Sequence, residues 1–177
     1  MKNIRDEAAK SAFEVSELDL YRSGFSPALL EQDEPEWDNP DKAYSDEVME
    51  LAQSLKDKDV LVFVFPVWWF SIPAMLKGYF DRVWNHGLIY GAGKKLPVKT
   101  VRWIALVGGS REDFERRQND KLMEQFLNGR IASYCGATDS KVEFLYNTIG
   151  AEEEIKDRKE HFELLFQQAG KVIRDLK

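Results

Sequence analysis

Apolar positions along this chain alternate between short continuous runs and stretches repeating at helical spacing. The clearest run is Val60-Leu61-Val62-Phe63-Val64-Phe65, which is too short for a membrane span and rich in β-branched and aromatic residues. It predicts a strand buried on both faces inside a parallel sheet. Pro66 ends it, because proline cannot donate to a ladder. Val67, Trp68, Trp69 and Phe70 then put large aromatic surface into a strand-to-helix loop. Ser71 as a cap, Pro73 in the first turn, and Leu76, Phe80 and Val83 at helical spacing predict the helix that follows. Loops at the carboxyl ends of strands line the ligand crevice of an open α/β sheet. The aromatic loop is therefore predicted to hold a flat ligand.

The same pattern organises the rest of the chain. Ile4–Ala12 reads as a short helical piece, and Phe13, Val15, Leu18 and Leu20 as an imperfectly alternating strand. Phe25–Pro40 is a Pro- and acid-rich connection containing Trp37, whose surface suits packing on its own domain or a neighbouring subunit. From Asp41, the residues Tyr44, Val48, Leu51, Ala52 and Leu55 share a helical face. Gly87, Gly91 and Gly93 mark a loop around Leu88, Ile89 and Tyr90. Val101–Val107 is a second buried strand ending at Gly108-Gly109-Ser110. Leu122, Met123, Phe126, Leu127 and Ile131 predict a helix that Gly136 closes. Val142–Tyr146 is a further strand, and Ile155 through Leu176 carry a final amphipathic helix. Strands alternating with helices predict an α/β doubly wound parallel sheet with helices on both faces, in a single domain over residues 1–177.

Composition narrows the function classes. The chain has 177 residues, a net charge of -6 and only 2 His and 1 Cys. The acidic balance argues against non-specific nucleic-acid binding. The histidine and cysteine counts argue against a metal cage or an internal disulfide. No apolar stretch spans a bilayer and MKNIRDEAAK carries no apolar signal region, so the expectation is a cytoplasmic protein.

The stretch Phe65-Pro66-x-x-Trp69-Phe70-x-x-Pro73-Ala74-x-Leu76-Lys77-Gly78-x-x-Asp81-Arg82-Val83 resembles the flavodoxin-like NAD(P)H:quinone reductase family. That family includes the mammalian quinone reductases, bacterial NAD(P)H oxidoreductases and the ancillary subunits of potassium-efflux systems. Asp19-Leu20-Tyr21, Phe25, Pro27, Tyr90-Gly91, Gly108-Gly109-Ser110 and Tyr134-Cys135-Gly136 extend the likeness from about Phe13 onward. The resemblance implies a flavodoxin-like fold, a bound FAD or FMN, and hydride transfer from NAD(P)H to a planar acceptor such as a quinone. It also implies a homodimer with sites at the subunit interface. By position it implies that Pro66, Val67, Trp68, Trp69 and Phe70 run along the isoalloxazine, that Gly108 and Gly109 form its second wall, and that Tyr90 reaches the site, across the dimer or within one chain.

Two departures from the family stand out. Where several members carry a tyrosine and a histidine after the Gly-Gly turn, this chain has Phe114 and Asp120. The family's first strand and its His-x-x-Pro-x-Ser type phosphate loop have no counterpart ahead of Ile4, so the expectation is a sheet with that central strand missing. These departures motivate an alternative function, a non-catalytic regulatory subunit that contacts a membrane transporter. The remaining candidates have plainer roles: Arg111, Arg116 and Arg117 as a solvated helix face, Cys135 as an inert core thiol, His86 as an exposed cap, and Asp81 with Arg82 as a structural ion pair or helix-end contact.

Overall fold

In the computed structural model, which describes residues 2–39, 41–151 and 155–176, the apolar runs become strands and most of the periodic stretches become helices. Met1, Pro40 and Lys177, included in the expected domain and connecting loop, lie outside the described residues. The order is α1 (Lys2–Lys10), a 3₁₀ turn (Glu31–Asp33), α2 (Asp46–Gln53), β1 (Val60–Pro66), α3 (Ala74–Val83) and β2 (Thr100–Leu106). Then come α4 (Arg111–Arg116), α5 (Asn119–Glu124) running into a π-helical segment (Gln125–Ser133), β3 (Asp139–Leu145) and α6 (Arg158–Arg174). The strands pair in parallel in the order β1-β2-β3, with Phe63 opposite Trp103 and Trp103 opposite Val142.

Helices cover both faces of the sheet because both faces are apolar. On one face, Val62, Val64, Ile104, Leu106 and Leu145 meet Ile4 of α1 and Leu165, Ala169 and Val172 of α6. On the other, Phe63, Phe65, Trp103, Ala105 and Phe144 pack with Leu76, Phe80 and Val83 of α3 and with Leu127 and Ala132 of the π-helical segment. Phe63 stacks on Trp103 with ring centroids 4.7 Å apart. The buried indole stays satisfied: Trp103 Nε1 donates to Ser140 Oγ at 2.9 Å, and that hydroxyl donates to Asn128 Oδ1. Gly136 sits at φ +98° behind the π-helical segment, with Ala137 N–H donating back to Ala132 O, the closure expected of it.

Four expectations change. The segment 13–19 is extended coil and not a strand. A strand needs a ladder partner for its N–H and C=O groups, and Glu14, Ser16 and Glu17 leave Val15 and Leu18 43% and 45% exposed rather than on a buried face. β1, read as a strand inside a sheet, is an edge strand among the described residues, and Val60–Val64 are only half-buried. Pro66 pairs with Leu106 instead of ending the strand one residue earlier. Val67 N–H donates to Leu106 O, so strand alternation turns the N–H-less side of Pro66 outward, where no ladder bond is lost. Finally, α3 starts at Ala74 with Pro73 as its cap position, because Ser71 is committed to the preceding turn. Among the described residues no helix is long and apolar enough to cross a membrane.

Candidate functional site

The carboxyl ends of β1 and β2 open onto two bare turns. In the first, Trp68 N–H donates to Ser71 O at 3.1 Å and Ser71 N–H returns to Trp68 O at 3.0 Å. Its two central residues, Trp69 and Phe70, lie at φ +51° and +57°. Positive φ at both central positions of a two-residue loop is the type I′ pattern, normally filled by Asn-Gly. Two bulky aromatic residues held there represent local strain of about 1–3 kcal/mol each. The side chains face outward: Trp69 is 94% exposed, Trp68 53% and Phe70 51%. Pro66 and Val67, half-buried, form the floor that joins this turn to β1.

The second turn is Gly108-Gly109-Ser110. A Cβ on Gly109 would meet only open space, whereas one on Gly108 would fall 2.8 Å from Ile149 Cδ1. The Gly108 face thus lies directly under an exposed isoleucine. The amides of Trp69, Phe70, Gly108 and Gly109 donate to no protein acceptor among the described residues. Free N–H groups beside large aromatic surface are the chemistry a planar heterocycle with carbonyl oxygens requires. The donor and stacking chemistry of these turns matches what an isoalloxazine would require, the amides then holding its carbonyl oxygens. These seven positions, Pro66–Phe70 with Gly108 and Gly109, lie at one end of the sheet, after the paired ends of β1 and β2.

Behind the second turn, Phe114 is buried and touches Phe70, Phe144 and Tyr146, with centroids 6.2, 5.7 and 5.9 Å away. Tyr146 carries the hydroxyl that Phe114 lacks. Burial first, then the Glu115 carboxylate and more weakly Asp120, push that phenol up to about 12, while Arg111, stacked 4.9 Å over its ring, pulls the other way. At neutral pH Tyr146 is therefore a protonated hydrogen-bond donor. Ser110 caps α4 by accepting from Asp113 N–H, which fixes Arg111 and Glu115 relative to the Gly-Gly turn.

Tyr90 lies elsewhere. It is 5.6 Å from Tyr134 and 6.4 Å from Trp37, and lines a cleft of about 400 Å³ with Trp37, Phe80, Trp84 and Tyr134. No aromatic pair among the described residues joins this cluster to Trp68–Phe70. Burial raises the Tyr90 hydroxyl above its ordinary range, and the cleft's Cys135 thiol is pushed up to about 11 by burial, which leaves it protonated and inert as expected.

A buried ion pair places this second cluster. Arg82, 3% exposed, donates through Nε (3.1 Å) and Nη2 (2.9 Å) to Asp33 Oδ2, and Asp33 is fully buried. Asp33 also accepts from Ser45 N–H and Ser45 Oγ–H. Burial pushes its carboxyl up, but the Ser45 amide, the guanidinium and the Ser45 hydroxyl together hold it below its ordinary value. Asn85 donates to Asp33 O and accepts from His86 N–H, and Tyr44 donates to His86 O. Trp37 and Tyr90 thereby hang from one polar network. The expected Asp81–Arg82 pair does not form, because consecutive helix positions face different sides: Asp81 pairs with Lys77 on the surface while Arg82 turns inward. His86, expected as an exposed cap, is half-buried at 5.2 Å from Trp37. Asp33 stands far from Arg82 in sequence, in an acidic loop without periodicity, so nothing local pointed to it.

Comparison with known proteins gives the same fold and a consistent chemistry. The family profile described as flavodoxin-like fold matches residues 2–168. The uncharacterized NAD(P)H oxidoreductase YcaK of Escherichia coli is 51% identical over 146 residues, covering 82% of this chain and 74% of that protein. Rat NAD(P)H dehydrogenase [quinone] 1 is 34% identical over 83% of this chain, which spans only 62% of that relative's length. Among solved structures, the NAD(P)H:quinone oxidoreductase from Methanothermobacter marburgensis superposes over 99% of this chain and 86% of its own, with a TM-score of 0.88 at 23% identity, which shows a shared fold. With parallel strands, helices on both faces and bare turns at the strand ends, the chain belongs to the flavodoxin-like fold family.

Proposed function

We propose that this chain is a flavin-dependent NAD(P)H:quinone oxidoreductase that works as a cytoplasmic homodimer. The observation that carries the reading is the pair of bare turns, with four free amides beside Trp68, Trp69 and Phe70. When bound, a flavin supplies hydride acceptance from a reduced nicotinamide and two-electron delivery to a quinone. The chain's own part is to hold planar partners in sequence. The outward aromatic faces of Trp68, Trp69 and Phe70 offer stacking surface for the cofactor and for whichever planar substrate is present. The free amides of Gly108 and Gly109 donate to electron-rich oxygens without any side chain having to ionise. Tyr146 stays protonated at neutral pH and backs this wall through Phe114.

Dimerisation is supported by a mismatch within one chain. Trp69 projects almost fully into solvent, while the cleft walled by Trp37, Trp84, Tyr90 and Tyr134 shares no aromatic contact with Trp69 among the described residues. In a two-fold pair each chain presents both halves, so the Tyr90 cleft of one copy faces the flavin-side turns of the other. In that arrangement Tyr90 reaches the partner's acceptor, the cross-dimer one of its two expected placements.

The test is direct. Purified protein is titrated with FMN and with FAD, followed by visible absorbance, and NAD(P)H oxidation is measured with a benzoquinone acceptor. Tight uptake of one flavin, quinone-dependent turnover and a dimeric mass by light scattering are expected. Absence of flavin uptake together with absence of quinone-dependent NAD(P)H oxidation overturns the reading.

A further inference from the structure

The loop that leaves β3 supplies one more polar group at the flavin-side turns. Asn147 N–H donates to Gly109 O at 2.9 Å, and Asn147 O accepts from Gly150 N–H at 2.9 Å. His161 Nε2 lies 3.1 Å from the same oxygen, so it carries the proton and donates. The next residue is held as firmly, with Thr148 N–H and Oγ–H both donating to Val107 O. Asn147 is thus pinned to the Gly-Gly turn, at φ +55°.

Its side chain is spent on nothing. Asn147 Oδ1 is buried without a partner, and the amide nitrogen donates to no protein atom among the described residues. The backbone conformation alone would be cheaper with glycine, which occupies positive φ freely. A buried carboxamide oxygen without a partner costs about 1–3 kcal/mol. The idle carboxamide sits on the residue whose N–H is bonded to Gly109 O, and is free to meet a bound group there.

The shape of that group follows from the amide. A carboxamide presents one donor and one acceptor side by side, and a half-turn about χ2 exchanges them without moving the backbone. Its complement is a planar imide edge, a ring N–H next to a carbonyl. The isoalloxazine carries such an edge at N3–H with its flanking carbonyl oxygens. Taking the flavin reading as its basis, we propose that the Asn147 carboxamide reads the imide edge of the bound isoalloxazine, as a specificity-determining group of the cofactor site. Trp68–Phe70 supply stacking surface, the Gly108 and Gly109 amides donate to ring oxygens, and Asn147 supplies the only side-chain acceptor assigned to the ring.

The experiment compares whichever of FMN and FAD binds more tightly with its N3-methyl derivative, which lacks the imide donor. Dissociation constants are read by flavin fluorescence on the native chain, on Asn147→Gly, which keeps the left-handed backbone, and on Asn147→Asp, which keeps an acceptor. The native chain is expected to bind the methylated flavin about tenfold more weakly than the parent. Asn147→Gly is expected to bind the parent about tenfold more weakly than the native chain and to lose the discrimination. Asn147→Asp should retain the discrimination. Flavin uptake with equal affinity for both forms in the native chain, or undiminished discrimination in Asn147→Gly, overturns the assignment while leaving the flavin reading intact. Failure of the native chain to take up either parent flavin overturns both.

Discussion

Replacing Asp33 by asparagine should be among the most damaging single substitutions in this protein. The side chain keeps its size, so no cavity opens and the effect is electrostatic. Arg82 is left 3% exposed without the carboxylate that takes two of its N–H groups, at 3.1 and 2.9 Å. Two partners remain, Ser26 O at 2.6 Å and Glu47 at 2.8 Å, the latter 45% exposed and partly screened. Breaking one side of a buried pair costs about 3–5 kcal/mol, and the surviving partners place this case near the lower end. The new amide must also turn either its NH₂ toward the Ser45 N–H, 2.8 Å from the present carboxylate, or toward the guanidinium. One donor therefore faces a donor, and that unmade bond costs about 1–3 kcal/mol. A loss of about 4 kcal/mol is a large part of the 5–15 kcal/mol that holds an ordinary domain together.

Urea unfolding followed by tryptophan fluorescence measures this, and the midpoint should fall by more than about 1 M. The control is Asp33→Leu combined with Arg82→Met, which removes both charges and should recover much of the loss. A cost below about 1 kcal/mol for Asp33→Asn would show that the pair behaves like an exposed one, and the argument from burial would fail. The network also carries Trp37 and Tyr90. In protein that remains folded, KM for the quinone should therefore rise more than the flavin dissociation constant, because the flavin-side turns hang from β1 and β2 instead.

Three further outcomes follow from the same geometry. Asp33, held below its ordinary value of 3.8, binds its proton more readily when unfolded, so its stabilisation is present above about pH 4 and disappears as pH falls through the lower folded value; acid titrations of unfolding should show a shallower limb in Asp33→Asn. Putting Asn-Gly at positions 69 and 70 should raise stability by about 1–3 kcal/mol in thermal melts while weakening flavin uptake, and equal or lower stability would refute the strain at Trp69 and Phe70. The amides of Val62 and Val64 point away from β2 and should exchange with solvent much faster than those of Phe63 and Phe65, as read by hydrogen exchange; equal protection would mean that the outer edge of β1 is paired.

What could be read from the chain divides along a physical line. β1, β2 and the helices packed on them were legible because strands with apolar groups on both faces write themselves into consecutive apolar residues, fully packed in Val101–Val107 and only half-buried along Val60–Val64. The bare turns were legible for a related reason, since Trp69-Phe70 and Gly108-Gly109 sit where such strands must end. Segment 13–19 was misjudged because its apolar residues suit a strand, yet a strand also needs a neighbour, and local pattern cannot report one. Asp33 and Asn147 were missed for the same reason. Each is a single polar residue in a loop, and its role exists only through partners contributed by distant segments: Arg82 and Ser45 for the first, Gly109 and His161 for the second. Both also show why polar residues merit the closer search. Apolar surface is satisfied by any well-shaped neighbour, but a buried polar atom needs one particular kind of partner. Asp33 has its partners inside the chain, and it orders the cleft. Among the described residues Asn147 has none for its side-chain oxygen, which makes it the residue whose missing partner says most about what binds.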